Sequence, residues 1–207
     1  MQKPFSIIEV LNTLKRKYPL FTSEADFQFA LAWTIKELYP HVEVRLEWVP
    51  SDYDPNMHID IVVFDDSKMI PIELKYKTRR TDKIVSGERY VLKNHGAQDL
   101  GRYDFLKDIA RIEFLERHFP AFTEGYCIFL TNDPHYLTKP RAGAYYAPFS
   151  IAIGDIKTGS LRWLEGGSSS ASRPGIDLLG SYPMEWETYA RIDDTDTVFQ
   201  LVVPIRR

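Results

Sequence analysis

The stretch MHIDIVVFDDSKMIPIELKYK, residues 57–77, decides how this chain folds. Two runs rich in Ile and Val flank Asp66-Ser67, a pair suited to a tight turn. The pattern predicts an antiparallel hairpin with strands over about residues 57–65 and 68–77. If Asp65 pairs with Lys68, Asp60 falls directly opposite Glu73. Paired residues share a face, so side-chain chemistry checks the register. It collects Ile59, Ile61, Val63, Ile70, Ile72 and Leu74 on one face, all apolar. The other face carries Val62, Phe64, Met69 and Pro71 near the turn, then His58, Asp60, Glu73 and Lys75 at the open end. A one-residue slip would mix the two sets. Facing carboxylates repel unless a cation lies between them, and Lys75, two residues beyond Glu73, points the same way.

Working outward, Phe5 to Tyr18 has helical periodicity, with an apolar stripe of Ile7, Ile8, Leu11 and Leu14. Thr22 or Ser23 caps a second helix that runs to Tyr39 before Pro40, its inward stripe being Phe27, Leu31, Ile35 and Leu38. Val42, Val44, Leu46 and Trp48 alternate as in a half-buried strand. Beyond the hairpin, a polar, basic loop leads to a long helix over about residues 97–118, ended by Pro120, and then to the apolar strand 126–130. The order is therefore helix, three strands, helix, strand, with an extra helix in front. The remainder (about 145–207) reads as β elaboration of one domain spanning 1–207. There, 149–153 is expected to pair with 160–164, 165–175 (EGGSSSASRPG) to be mobile, and 197–204 to form a last strand.

Composition is that of an ordinary globular chain, 44% apolar and 27% charged. No apolar run approaches the roughly 18 residues of a membrane span, and the first residues lack the apolar core of a signal peptide. The lone cysteine, Cys127, sits in the apolar run GYCIFL and reads as a buried inert thiol. A cytoplasmic protein is expected. The formal net charge of −3 does not mark a nucleic-acid binder, but local distribution matters more for phosphate contacts. Five of the nine residues from Lys75 to Lys83 are basic, directly after the second hairpin strand. That run is either a solvated loop or a phosphate-contacting one.

His58-Ile59-Asp60 followed by Ile72-Glu73-Leu74-Lys75, in this order of elements, resembles the PD-(D/E)XK nuclease superfamily over roughly residues 20–132. The proline usual before the aspartate is replaced by Ile59. The resemblance implies an α/β fold with a restriction-endonuclease-like αβββαβ core, a central mixed sheet flanked by helices, an extra N-terminal helix and a C-terminal β elaboration. It implies a metal-dependent nuclease hydrolysing phosphodiester bonds, most naturally of DNA, with Asp60, Glu73 and Lys75 catalytic. Asp60, Glu73 and the Ile72 carbonyl would hold Mg²⁺ or Mn²⁺, which suit hard oxygen ligands. Lys75 would position the attacking water, lower its pKa or stabilise the phosphate.

Relatives often add an acid from the preceding helix. Here Glu24 shares the inward face of Phe27, Leu31 and Ile35; it is either a further metal ligand or a favourable charge at the helix N-terminus, worth about 0.3–1 kcal/mol. Several also carry a glutamine and a tyrosine at the start of the following helix. Gln98 and Tyr103 are five residues apart rather than four, so they diverge around the helix and Tyr103 reads as packing. Arg102, four after Gln98, is the alternative phosphate contact, and Lys77, Arg79 and Arg80 complete the expected nucleic-acid surface. His58 and His95 are either phosphate or metal neighbours or, more ordinarily for such positions, plain polar residues. A homodimer is compatible with the chain. The competing readings are a catalytically inactive nuclease-fold module that binds nucleic acid or a protein partner, and a structural protein whose acids are neutralised by Lys75.

Overall fold

A computed structural model describes residues 3–165 and 173–207. Its centre is a six-stranded mixed sheet. In chain order the elements are α1 (Ile7–Lys17), α2 (Glu24–Leu38), β1 (Glu43–Trp48), β2 (Ile59–Asp65), β3 (Lys68–Lys77), β4 (Thr81–Val85), β5 (Glu88–Leu92), α3 (Gln98–His118), β6 (Glu124–Thr131), β7 (Ile156–Leu161), β8 (Ile176–Pro183), β9 (Trp186–Arg191) and β10 (Thr197–Arg206). The sheet runs β1-β2-β3-β6-β10-β9, with β6 parallel to β3 and the other neighbours antiparallel. The α3 helix makes the long crossover that a parallel β3–β6 pair requires.

The expected hairpin register holds from the turn outward, with Asp65 paired to Lys68, Val63 to Ile70 and Ile61 to Ile72, but the ladder stops there and the expected Asp60–Glu73 pair is not formed. Ile61, Val63, Ile70, Ile72 and Leu74 pack on one face of the sheet with Val10, Leu14, Phe27, Leu31 and Ile35 of α1 and α2. Val62 and Met69 pack on the other face with Phe105, Leu106, Ile109 and Ile112 of α3. Two assignments are corrected. Ile8 is 68% exposed and Val10 takes its place in the α1 stripe. Ile59 packs on the α3 face, not with Ile61. The cause lies in β1, where Glu47 has a left-handed φ of 49°. That residue breaks the alternation, so Val44 and Leu46 face α2 whereas Trp48, paired with Ile59, faces α3.

The segment after β3 is not a plain loop but a second hairpin, β4–β5, turned at Ser86-Gly87, both with positive φ. Its inward positions include Thr81, Tyr90 and Leu92, and with a polar residue among them the apolar strand period is faint in the sequence. At the C-terminus, 149–153 and 160–164 do not pair. Ala147–Phe149 is a 3₁₀ turn, and β7 pairs instead with β8. Buried Glu113 on α3 accepts the backbone N–H groups of Leu179 and Gly180 and the Tyr182 hydroxyl, fixing β8 to that helix. The last strand is longer than expected, extends the central sheet past β6 and carries β9 on its outer edge. Most of the Gly/Ser-rich stretch 165–175 lies outside the described residues. Among the described residues no helix is long and apolar enough to cross a membrane.

Gly125, near the start of β6, sets how closely α3 approaches the sheet. A Cβ there would lie 2.5 Å from Cγ2 of Ile112, whose β-branched χ1 is stiff, and 3.2 Å from the Pro71 carbonyl. We expect Gly125→Ala to destabilise the fold by about 1–3 kcal/mol, as overpacking does. Urea unfolding monitored by circular dichroism measures this.

Candidate active site

The β2–β3 ladder ends at Ile61↔Ile72, and the two strands then diverge into a fork. Backbone groups of β3 beyond this point need new partners, since buried amides are rarely left unpaired. Carboxylates supply them. Asp60 Oδ2 accepts the Leu74 N–H at 2.6 Å, and Glu24 Oε2 accepts the Tyr76 N–H at 2.7 Å. Glu73 Oε2 in turn accepts the Asp60 N–H at 3.4 Å, so Asp60 and Glu73 each reach across to the other strand's backbone. On the α2 side, Gln28 donates to both Glu47 Oε1 (2.8 Å) and the Asp60 carbonyl (2.7 Å). This bridge ties the kink at Glu47 to the first turn of the fork.

Glu73 and Lys75 project from β3 toward α3, where two residues the sequence reading missed receive them. Lys75 Nζ lies 2.5 Å from Asp108 Oδ2, Arg111 Nη1 lies 2.8 Å from Glu73 Oε1, and Arg111 Nη1 lies 3.2 Å from Asp108 Oδ1. Arg111 Nη2 also donates to the His58 carbonyl at 2.7 Å, across the mouth of the fork. Glu73 is 2% exposed and Asp108 3%. The signal for Asp108 was in the helical phase. It stands three residues after Phe105 and four before Ile112, an acid in an inward apolar stripe.

Burial, with repulsion from Asp108 and Asp60, raises the Glu73 carboxyl well above its usual range. Burial also raises Asp60, against the Leu74 hydrogen bond and the Lys75 charge, and raises Asp108 despite its two cations. Burial alone would depress Lys75, but the Asp108 carboxylate outweighs it and moves the ammonium upward. Lys75 is therefore a fixed cation at neutral pH and not a base. Cys127, paired in register with Glu73, lies beneath the site with its thiol pushed up by burial.

The other expected site residues are placed as follows. Ile72 lies within the ladder, in register with Ile61 and Tyr126, so its carbonyl is not the one at the fork. Backbone N–H and C=O of one residue point to the same side of a strand, so the carbonyl beside Asp60 is that of Leu74, which accepts from Lys75 Nζ. Arg102 is 3% exposed; its guanidinium donates to the His135 carbonyl and lies over the Tyr136 and Tyr146 rings, an interior position rather than the expected phosphate-facing one. Gln98 donates to Asp133 at 3.0 Å. Tyr103 packs against Trp163, as expected. Arg79 pairs with Asp196 at 3.0 Å, Lys83 with Asp193 and Asp196, and Arg89 with Asp82. The basic run is thus largely neutralised by the β9–β10 turn and by its own hairpin, and among its described residues Lys77 and Arg80 have no ion pair. His95 accepts the Thr78 N–H through Nδ1, a structural role.

No family model, curated protein or solved structure matches this chain. The functional reading rests on the residues themselves. Among the described residues, no group of three or more His, Cys, Asp or Glu side chains is gathered closely enough to hold a metal without rearrangement. The cluster nevertheless holds Asp60, Glu73 and Asp108 against only Lys75 and Arg111, with Glu24 adjoining. This excess of negative charge, carried on hard oxygens, is chemically suited to a divalent cation.

The raised Asp60 carboxyl has a stability consequence. In the unfolded chain it loses its proton near 3.8, whereas in the folded chain it holds the proton to higher pH. The folded state then binds more protons between these two values, so stability falls as pH rises through the window. In metal-free buffer, Asp60→Asn, which keeps an acceptor for the Leu74 N–H, is expected to be more stable than wild type at pH 7. The gain should vanish toward pH 4. Urea melts across this range give the result, and a gain unchanged with pH contradicts it.

Proposed function

We propose that this protein is a metal-dependent phosphodiesterase acting on nucleic acid, with DNA the first candidate, and that its fold is of the restriction-endonuclease-like class. The observation that carries the reading is the fork: Asp60 and Glu73 meet where β2 leaves β3, and a permanently charged Lys75 stands beside them. The order α2-β1-β2-β3-α3-β6, with β6 parallel to β3, supports the same fold class. A cytoplasmic setting agrees with the single reduced, buried Cys127.

Asp60 and Glu73 are the residues that would hold Mg²⁺ or Mn²⁺; of the two nearby carbonyls, that of Ile72 lies within the ladder and that of Leu74 accepts Lys75 Nζ. When bound, such an ion supplies Lewis-acid polarisation of the scissile phosphate and lowers the pKa of bound water. The Leu74 N–H holds Asp60 Oδ2 and fixes the orientation in which this carboxylate would meet the ion. Glu73 keeps Oε1 on Arg111 and turns Oε2 toward Asp60. Lys75 offers N–H donors and a positive charge to the phosphate oxygens as negative charge grows on them. Glu24, hydrogen-bonded to Tyr76, acts here through the strand backbone. The unpaired Lys77 and Arg80 provide the approach for a phosphate chain.

Purified protein is expected to cleave DNA in Mg²⁺ or Mn²⁺ and not in EDTA. Asp60→Ala should lower the rate by about 100-fold or more, the equivalent of losing roughly 3 kcal/mol of transition-state stabilisation. Activity that survives this substitution places the chemistry elsewhere. Absence of cleavage together with salt-sensitive DNA binding favours an inactive module of the same fold.

A further inference from the structure

Four charged side chains close a square between β3 and α3. Glu73 and Lys75, two apart on β3, occupy one side; Asp108 and Arg111, three apart on α3, occupy the other. Signs alternate around it: Lys75 to Asp108 at 2.5 Å, Asp108 to Arg111 at 3.2 Å, Arg111 to Glu73 at 2.8 Å. Lys75 makes no ion pair within 4 Å with Asp60 or Glu73, although both lie on its own side of the sheet. An ammonium on a flexible four-carbon stem beside two buried carboxylates is ordinarily drawn between them. Here Asp108 competes for it and holds it.

We infer that Asp108 and Arg111 are positioning residues that keep Lys75 out of the gap between Asp60 and Glu73, leaving that gap clear for a divalent cation. The inference rests on the metal-dependent reading above and says how the site is kept ready for its ion. Arg111 completes the device. It holds Glu73 Oε1 and the His58 carbonyl together, so the second Glu73 oxygen faces Asp60 and the mouth of the fork keeps its width. The formal charges of the square cancel, and within it the Asp108 carboxylate keeps Lys75 a cation despite burial. Asp60 makes no ion pair with the square and feels the Lys75 charge from a distance. Asp108 acts through Lys75, and Arg111 acts through Glu73 and the His58 carbonyl.

The test needs no activity assay. Asp108→Asn preserves shape and removes the charge that holds Lys75. Its crystal structure is expected to show the Lys75 ammonium moved within 4 Å of Asp60 or Glu73. Titration calorimetry with Mn²⁺ should then give an affinity about 10–100-fold below wild type, the range seen when a metal ligand loses its supporting shell. Adding Lys75→Met to Asp108→Asn should clear the gap and restore binding. Should Asp108→Asn fail to fold, Lys75→Met alone decides the point, with Mn²⁺ binding as tight as or tighter than wild type expected. A Lys75 that stays beside residue 108, a double variant that does not recover, or a Lys75→Met variant that binds more weakly overturns the inference. A wild-type protein that binds no Mn²⁺ sinks the metal reading instead, and the crystal structure of Asp108→Asn then decides the positioning role alone.

Discussion

The early end of the β2–β3 ladder is the constraint on which the rest of the site depends. Had pairing continued past Ile61↔Ile72, Leu74 would have found its partner in Ile59, and Asp60 would have paired with Glu73. Instead β2 turns away at the residue opposite the Glu47 kink, and the carboxylates of Asp60 and Glu24 take over as acceptors for β3. Strain at Glu47 costs on the order of 1 kcal/mol. It is offset by hydrogen bonds to charged acceptors, each worth roughly 1.5–3 kcal/mol. The fork is thus held open by the same acids that give it chemical character.

Burying acids at such a point requires counter-charge from another layer, and α3 delivers it. The close approach permitted by Gly125 brings Asp108 and Arg111 down onto β3, so packing of the apolar stripe Phe105–Ile109–Ile112 also sets the ionic geometry. A buried ion pair carries a desolvation cost that only close, multiply bonded geometry recovers. The alternating square brings Glu73 and Lys75 within ion-pair distance of counter-charges, yet Glu73 Oε1 and Asp108 Oδ2 lack a well-aligned hydrogen bond and Asp60 has no ion pair among the described residues.

Much of this arrangement was legible in the chain. Period-two alternation and the Asp66-Ser67 turn specify the hairpin register, and Ser23 followed by the Phe27/Leu31/Ile35 stripe specifies α2. What escaped was whatever depends on a third partner. The reversal at Ile59 is caused by a backbone angle in β1 that no residue type announces, since Glu47 is not glycine. That the carbonyl at the fork is Leu74's rather than Ile72's follows from where pairing stops, not from motif spacing. The basic run read as a phosphate surface because its acidic partners, Asp193 and Asp196, lie more than a hundred residues away. Arg102 looked available by its spacing from Gln98, but Tyr136 and Tyr146, brought in from later in the chain, enclose it. Asp108, by contrast, was readable as an acid in an apolar phase.

The central claim is that the gap between Asp60 and Glu73 is a cation site kept open by α3. The most direct measurement is anomalous diffraction from a wild-type crystal soaked in Mn²⁺. The account predicts one strong anomalous peak within about 2.5 Å of an oxygen from each of Asp60 and Glu73, with Lys75 still beside Asp108. No peak there, or a Lys75 ammonium occupying that position, would contradict it.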